Sequence, residues 1–134
     1  MISRKKKVSQ NKKIKNATPT VFEDIQFRSK LEVYVYKRLK ENNIKAFYEP
    51  IKFELMPSFE FRGHKNRPMT YTPDFVGDNF IIEAKGRPND VFPYKWKWFK
   101  YYLKMNNLED KYSLYLVHNQ KEVEECIKEI LNGN

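Results

Sequence analysis

The feature that most constrains the fold is a turn signal, Gly77-Asp78-Asn79, between two apolar segments. Residues 71–76 precede the turn and residues 80–85 follow it, and both segments are rich in the aromatic and β-branched side chains that favour strands. Gly, Asp and Asn are the residues that tight hairpin connections need. The sequence therefore predicts an antiparallel β-hairpin whose two arms lie side by side.

Two acidic residues and a lysine occupy facing positions of this hairpin. Asp74 lies on the first arm and faces Glu83 on the second. Because side chains alternate along a strand, Glu83 and Lys85 project from one side and Ala84 from the other. Singly, these residues have ordinary explanations: Asp74 follows a proline as turn-starting residues do, and Glu83 and Lys85 suit the exposed face of an edge hairpin. Together they predict a shared site.

The residue types at this site favour a hard cation. Two carboxylates without a neighbouring His or Cys suit Mg²⁺, for which Mn²⁺ is expected to substitute, and the Ala84 carbonyl is an additional candidate ligand. An ammonium at Lys85 can orient a water and offset the charge that builds on a phosphodiester under attack. The pattern is typical of phosphodiester hydrolysis.

The elements around the hairpin predict an α/β fold that borders on α+β, with a central mixed sheet flanked by helices. A helix is expected from the N-cap Ser29 to Glu41, then β-rich segments interrupted by Pro50 and Pro57. Residues 62–67 form a polar turn. Later elements are predicted as a helix at 91–105, a strand at 112–117 and a helix at 121–131. One domain, residues 17–134, accommodates them all.

Glu32 has two possible roles at the start of the first helix. Ser29 and Glu32 have the spacing of a capping box, in which the glutamate satisfies the helix N-terminus. If the helix packs beside the hairpin, Glu32 instead joins Asp74 and Glu83 as a fourth member of the site. The residues alone leave both roles open.

Charge is concentrated at the N-terminus. Residues 1–16 hold seven basic side chains and no acidic one, which leaves 19 basic and 17 acidic residues, a net charge of +2, for the rest of a chain whose total is +9. We predict a disordered basic tail that contacts DNA phosphates through Lys5, Lys6 and Lys7. The alternative is a tail that only promotes solubility.

The sequence disfavours disulfide-stabilised, Cys/His zinc-binding, membrane-spanning and secreted proteins. Cys126 is the single cysteine, so neither an internal disulfide nor a Cys/His zinc cluster can form. No apolar run approaches the roughly 18 residues of a membrane span, and no apolar stretch follows the basic N-terminus as in a signal peptide. We expect a cytoplasmic protein with no membrane contact.

The helix at 91–105 has an apolar stripe and a neighbouring lysine stripe. Trp96, Phe99 and Leu103 form the first, which is expected to face the core. The second is a candidate DNA contact or simply a solvated face, and its residues are Lys97, Lys100 and Lys104. Trp98 falls opposite the apolar stripe and so needs a partner, for which another subunit is favoured over the basic tail and an unpaired base. Arg67 is a further candidate DNA contact, in a second basic group near the hairpin loop that also contains Lys52, Arg62, His64 and Lys65.

Three blocks of the chain resemble the PD-(D/E)xK nuclease superfamily, and phage endonuclease I within it. The blocks are Phe27-Arg28-Ser29-x-Leu31-Glu32, Tyr71-Thr72-Pro73-Asp74-Phe75 and Glu83-x-Lys85-Gly86. The resemblance extends from Phe27 to about Leu103 and includes related small phage and prophage proteins. It implies a restriction-endonuclease-like core in which Glu32, Asp74, Glu83 and Lys85 are catalytic. It also makes Glu32 a metal ligand and adds Arg28 and Ser29 as DNA-binding candidates.

The resemblance implies a Mg²⁺-dependent endodeoxyribonuclease acting in the cytoplasm of a bacteriophage's host. Four-way DNA, the Holliday junction, is the leading substrate, because endonuclease I resolves it during DNA recombination. This chain is longer around residues 59–67, where endonuclease I exchanges a segment between two subunits, so a homodimer is left open. Two alternatives remain: a nicking or structure-selective nuclease for packaging or host-DNA degradation, and a non-catalytic DNA-binding protein.

Overall fold

A computed structural model describes residues 2–3 and 20–133 of the chain. Its helices are α1 (Lys30–Glu41), α2 (Phe92–Met105) and α3 (Gln120–Gly133). Its strands are β1 (Ile2–Ser3), β2 (Thr20–Phe22), β3 (Ile25–Phe27), β4 (Ala46–Tyr48), β5 (Phe53–Met56), β6 (Phe59–Phe61), β7 (His64–Asn66), β8 (Met69–Tyr71), β9 (Phe75–Gly77), β10 (Phe80–Ala84) and β11 (Ser113–Val117). None of these helices is long and apolar enough to cross a bilayer.

The central sheet has five strands in the order β1-β4-β9-β10-β11. Strand β9 runs antiparallel to β4 and to β10, whereas β1 pairs with β4 and β11 pairs with β10 in parallel. The predicted hairpin is therefore β9 and β10, and it forms the middle of the sheet. The mixed sheet and its helices confirm the predicted fold class.

Helices cover both faces of this sheet. Neighbouring residues of β10 point to opposite sides: Ile82 packs in one core cluster with side chains of α1 and α3, and Ile81 packs in the other with side chains of α2. All five residues of β10 are buried. A strand covered on both faces explains why residues 80–84 are apolar apart from Glu83.

The strand predicted at residues 71–76 is in fact two strands. Strand β8 pairs with β5 and ends at Tyr71, and β9 begins at Phe75 and pairs with β4 and β10. Pro73 lies between them and has no N–H to donate to a ladder, so it ends one pairing before the next begins. This break places Asp74 immediately before the central strand β9.

The polar turn predicted over residues 62–67 is shorter than expected. Strands β6 and β7 form a hairpin whose turn is Arg62-Gly63, and residues 64–66 belong to β7. Both turn residues have positive φ, +52° and +79°, as the tightest right-twisted hairpins require. The polar side chains of residues 64–66 therefore lie on a strand and not in a loop.

The predicted N-terminal tail departs from expectation at its start. Ile2–Ser3 form β1 and pair in parallel with Ala46 and Phe47 of β4. Without β1, β4 would be the edge of the sheet and would offer unpaired backbone groups, which explains how so short a segment can add to it. The predicted phosphate contacts Lys5, Lys6 and Lys7 lie outside the described residues.

Candidate active site

Asp74 and Glu83 meet where the central hairpin ends. The pairs Val76 with Ile81 and Phe75 with Ile82 set the register, and one further step places Asp74 opposite Glu83, as predicted. The backbone N–H of Ala84 donates a 2.8 Å hydrogen bond to Oδ2 of Asp74. The hairpin thus fixes the Asp74 carboxylate through the backbone as well as through register.

Lys85 follows β10 and lies on the same side as Glu83, as the alternation predicted. Its Nζ is 3.6 Å from Oε2 of Glu83 and 4.5 Å from the ring centre of Phe92. Its backbone N–H donates a 2.8 Å hydrogen bond to the carbonyl of Val117, which ends β11. Strand β11 therefore holds the residue while its ammonium lies between a carboxylate and an aromatic ring.

Glu32 joins this end of the sheet from the first turn of α1. Ser29 is the N-cap, and its Oγ accepts a 3.2 Å hydrogen bond from the N–H of Glu32. Oε1 of Glu32 accepts 3.1 Å from the N–H of Arg28 and 2.7 Å from the hydroxyl of Tyr48. Glu32 therefore combines both predicted roles, helix capping and a position beside the site. It differs from a standard capping box in that its carboxylate accepts from the N–H of Arg28 and not from that of the N-cap residue Ser29.

The three carboxylates are buried: Glu32 and Glu83 are 5% exposed and Asp74 is 6% exposed. This burial contradicts the alternative in which Glu83 occupies an exposed hairpin face. Burial raises the pKa of Asp74 well above its ordinary value, and the negative charges of Glu83 and Glu32 raise it further. Burial also raises the pKa of Glu83, and it raises the pKa of Glu32 to about 7.

Two tyrosines that the sequence reading missed hold these carboxylates. The hydroxyl of Tyr71 donates to Oε1 of Glu83 at 2.5 Å, and that of Tyr48 donates to Glu32. Both hydrogen bonds favour the charged carboxylate and so lower the pKa that burial raises. Tyr71 opens the second resemblance block, but nothing in the sequence distinguishes Tyr48 from the many core aromatic residues.

Glu49 is a fourth buried acidic residue, 3% exposed, that the sequence reading also missed. It has a positive φ of +48°, and its N–H donates a 2.8 Å hydrogen bond to the carbonyl of Asp74. Its Oε2 lies 3.2 Å from Nε of Arg28 in an ion pair without hydrogen-bond geometry. Arg28 thus has a partner within the protein, and its contact with DNA stays a prediction.

The donor set fits a small hard cation. Within residues 20–133, no three carboxylate, imidazole or thiol side chains converge as a ready-made metal cluster. Mg²⁺, however, is commonly held by one or two carboxylates with waters and substrate phosphates, which Asp74 and Glu83 can provide. The register places Ala84 opposite Pro73, which has no N–H to donate to the Ala84 carbonyl. Pro73 therefore leaves that carbonyl oxygen available as a candidate metal ligand. Glu32 as a direct ligand stays a prediction.

A groove of about 640 Å³ opens beside Lys85. Its basic lining residues are Lys85, Arg87, Lys97, Lys100 and His118. Its apolar lining includes Phe92, Trp96 and Leu116. The structure thus brings Lys97 and Lys100 to the site. Lys104 is not among the lining residues and forms an ion pair with Glu109 at 3.5 Å.

Trp98 and Arg67, predicted as a subunit contact and a DNA contact, both lie away from the groove lining. Trp98 is partly buried against the core cluster that contains Phe99, so the aromatic side chain has a partner within the chain and does not need a second subunit. The expectation that Trp98 needs another subunit was wrong because partly buried side chains of α2, Trp98 and Tyr102, also pack against the cluster that contains its buried stripe Trp96, Phe99 and Leu103. Arg67 is exposed between β7 and β8 and is not among the residues that line the groove.

Comparison with known proteins identifies a family without an assigned activity. Residues 11–121 match the family described as "Protein of unknown function (DUF1064)". The matched region contains Glu32, Asp74, Glu83 and Lys85 and every residue that lines the groove. No curated protein and no solved structure matches the chain. Because the match covers most of the sequence, the chain belongs to the DUF1064 family.

Proposed function

We propose that this protein is a Mg²⁺-dependent DNA endonuclease that hydrolyses phosphodiester bonds. The observation that carries the proposal is the burial of Asp74 and Glu83 side by side, with the ammonium of Lys85 3.6 Å from Glu83. Buried like charges oppose folding unless something compensates them. Such clusters, with carboxyl pKa values raised by burial and mutual repulsion, are typical of catalytic sites.

A non-catalytic DNA-binding protein explains this arrangement poorly. Its binding surface would require basic side chains, and the groove lined by Lys97 and Lys100 meets that requirement. It would not require the buried acidic residues Asp74 and Glu83 close to Lys85 of that groove, where their negative charges weaken attraction to phosphate. The acidic pair next to a basic groove favours a reaction at a bound phosphate.

The residues divide the chemistry of hydrolysis between them. A water oxygen forms a bond to phosphorus and gives up one proton to the solvent, the bond from phosphorus to the leaving oxygen breaks, and the leaving oxygen takes up one proton. Asp74, Glu83 and the Ala84 carbonyl would hold a Mg²⁺ ion, which supplies charge neutralisation at the phosphate and a more acidic water. Lys85 holds that water in place and offsets the transition-state charge. Tyr71 orients Glu83.

The proposed substrate is DNA, and a branched form such as the Holliday junction is the first to test. DNA as the substrate follows from the basic groove beside the site and from the seven basic residues at positions 1–16. The branched form follows from the resemblance to phage endonuclease I. A nicking or structure-selective nuclease would use the same residues on another DNA form.

A cleavage assay tests the proposal. The purified full chain is incubated with an end-labelled four-way junction, its matched linear duplex and the single strand, each with Mg²⁺, with Mn²⁺ and with EDTA. We expect cleavage of at least one substrate with either metal and none with EDTA. The Asp74→Asn protein serves as the control for a contaminating nuclease. Metal-independent cleavage, or equal cleavage by Asp74→Asn, would remove the proposal.

A further inference from the structure

We infer that the groove beside Lys85 binds an unpaired nucleotide next to the phosphate that is cut. This inference rests on the proposed endonuclease function. Among the DNA forms left open there, it favours DNA with a single-stranded segment at the cleavage position over a fully paired four-way junction. The occupant is defined by its chemistry: a phosphate for the basic groups and an accessible base face for the apolar floor.

Lys85 connects the groove to the carboxylate site. Its Nζ lies 3.6 Å from Glu83 on one side and 4.5 Å from the ring centre of Phe92, a groove residue, on the other. A phosphate contacted by this ammonium is therefore within reach of both the carboxylates and the groove. The nucleotide that follows such a phosphate enters the groove directly.

The charge of the groove matches a phosphate backbone. Lys85, Arg87, Lys97 and Lys100 line it together with His118, and none of the described residues that line it is acidic. Lys97 and Lys100 are exposed on α2, so their ammonium groups are free to move to a ligand. Several cations along one groove follow a chain of phosphates, whereas a single small anion would need only a compact pocket.

The floor of the groove favours an unpaired base. Phe92, Trp96 and Leu116 line it, and Nζ of Lys100 lies 5.9 Å from the ring centre of Trp96. In a duplex the base faces are stacked on one another, and only the sugar-phosphate ridges and base edges reach a protein surface. Aromatic and apolar side chains beside cations are typical of sites that stack unpaired bases.

Residues 86–89, which line the groove between Lys85 and α2, are held in place before any ligand binds. Oδ1 of Asn89 accepts hydrogen bonds from the N–H groups of Val91 at 2.8 Å and Phe92 at 3.1 Å, and so satisfies two backbone donors where α2 begins. The volume of about 640 Å³ lies within the roughly 300–1,000 Å³ of sites for small organic ligands. One nucleotide fits without a large rearrangement.

The test measures binding separately from cleavage. Fluorescence anisotropy, with EDTA present, compares a blunt duplex with the same duplex carrying a three-nucleotide single-stranded extension at either its 5′ or its 3′ end. We expect the wild-type protein to bind one extended duplex about tenfold more tightly than the blunt one. A 2-aminopurine at the first unpaired position should lose fluorescence on binding, because its base stacks in the groove.

Two groove variants and one matched control decide the outcome. Lys97→Ala/Lys100→Ala and Arg87→Ala should reduce the preference for the extension to less than about threefold. The control, Lys121→Ala/Lys128→Ala, removes two exposed charges from α3 and should keep the preference. A wild-type protein without preference, or groove variants that weaken blunt and extended duplexes equally, would overturn the inference.

The two proposals can fail separately. If the extension is preferred in EDTA but no DNA is cut with Mg²⁺, the endonuclease function fails and the groove stands as a single-strand binding site. If DNA is cut but the extension has no effect on binding, the endonuclease function stands and the groove assignment fails.

Discussion

The hydroxyl of Tyr71 donates a 2.5 Å hydrogen bond to Oε1 of Glu83, and this contact joins the two-stranded sheet of β5 and β8 to the central sheet. Tyr71 ends β8, which pairs with β5, and Glu83 lies in β10. The tyrosine therefore holds one carboxylate oxygen while the other, Oε2, faces Lys85. Glu83 is oriented before any ion or substrate binds.

Tyr71→Phe should weaken metal binding more than it weakens the fold. It leaves the ring among Trp96 and Phe99 but removes the donor that orients Glu83. We expect cleavage to fall by about 10- to 100-fold, as for other groups that orient a metal ligand. The Mg²⁺ concentration for half-maximal activity should rise. Tyr94→Phe, at a tyrosine 74% exposed, is the matched control, and an unchanged Mg²⁺ requirement in Tyr71→Phe would contradict the assigned role.

Asp74→Asn and Glu83→Gln should separate activity from stability. Each keeps the size of the side chain but removes a buried negative charge that repels its neighbours. We expect cleavage below detection and, at pH 8 without divalent ions, a melting temperature above that of the wild-type protein. DNA binding in EDTA should persist. A lower melting temperature in both variants would show that the carboxylates are structural, since a stabilising pair is not replaced by amides without loss.

Stability should depend on pH through Glu32, whose pKa is raised from 4.5 to about 7 by burial. Between those values the folded protein binds more protons than the unfolded chain, so this contribution is fully present below pH 4.5 and is lost as the pH rises through 7. The shift corresponds to about 3 kcal/mol at most. Urea unfolding at pH 5 and pH 8 without metal measures it.

Glu32→Gln is the control for that pH dependence. The amide oxygen can still accept from Tyr48 and from the N–H of Arg28, but the side chain no longer titrates. The loss of stability between pH 5 and pH 8 should therefore be smaller in Glu32→Gln than in the wild-type protein. If the two proteins lose the same free energy of unfolding, Glu32 is charged throughout this range and the burial argument is wrong.

The sequence predicted elements with a local cause better than relationships that depend on packing. Ser29 caps α1 and Gly77-Asp78-Asn79 joins β9 to β10, because capping and turn formation depend on neighbouring residues. The break at Pro73 was missed because an extended apolar segment does not reveal that its two halves pair with different partners. Glu49 was missed for a similar reason: only the packing of β4 beside Asp74 brings it to the site.

The basic segment should contribute to DNA affinity through its charges. Because Ile2–Ser3 pair with β4, deletion of residues 1–16 would also remove a strand, so Lys5→Gln/Lys6→Gln/Lys7→Gln is the cleaner change. Each lost phosphate contact lowers the slope of log affinity against log salt by about 0.9, so three would lower it by about 2.7. Anisotropy titrations from 50 to 200 mM salt, roughly, measure the slope. An unchanged slope would show that Lys5, Lys6 and Lys7 do not contact DNA phosphates and would favour the alternative in which the segment only promotes solubility.

Lys85→Arg tests whether the ammonium acts locally on the reaction. The substitution keeps the positive charge, so attraction to DNA through the groove should change little. The guanidinium is longer, planar and unable to exchange a proton near neutral pH, so it cannot occupy the place between Glu83 and Phe92 in the same way. We expect the cleavage rate to fall by about 100-fold or more, with junction affinity in Ca²⁺ within about twofold of wild type.

The matched control in the same groove is Lys97→Arg, which makes the same replacement of an ammonium by a guanidinium at an exposed lysine of α2. It should cleave at nearly the wild-type rate, because a phosphate contact tolerates either cation. Single-turnover rates at saturating protein isolate the chemical step from binding. If Lys85→Arg cleaves as fast as Lys97→Arg, the ammonium of Lys85 is one more phosphate contact and its role in holding the attacking water is refuted. A slow Lys85→Arg beside a fast Lys97→Arg, at equal affinity, places the loss in the transition state, where only a group next to the reacting phosphate can act.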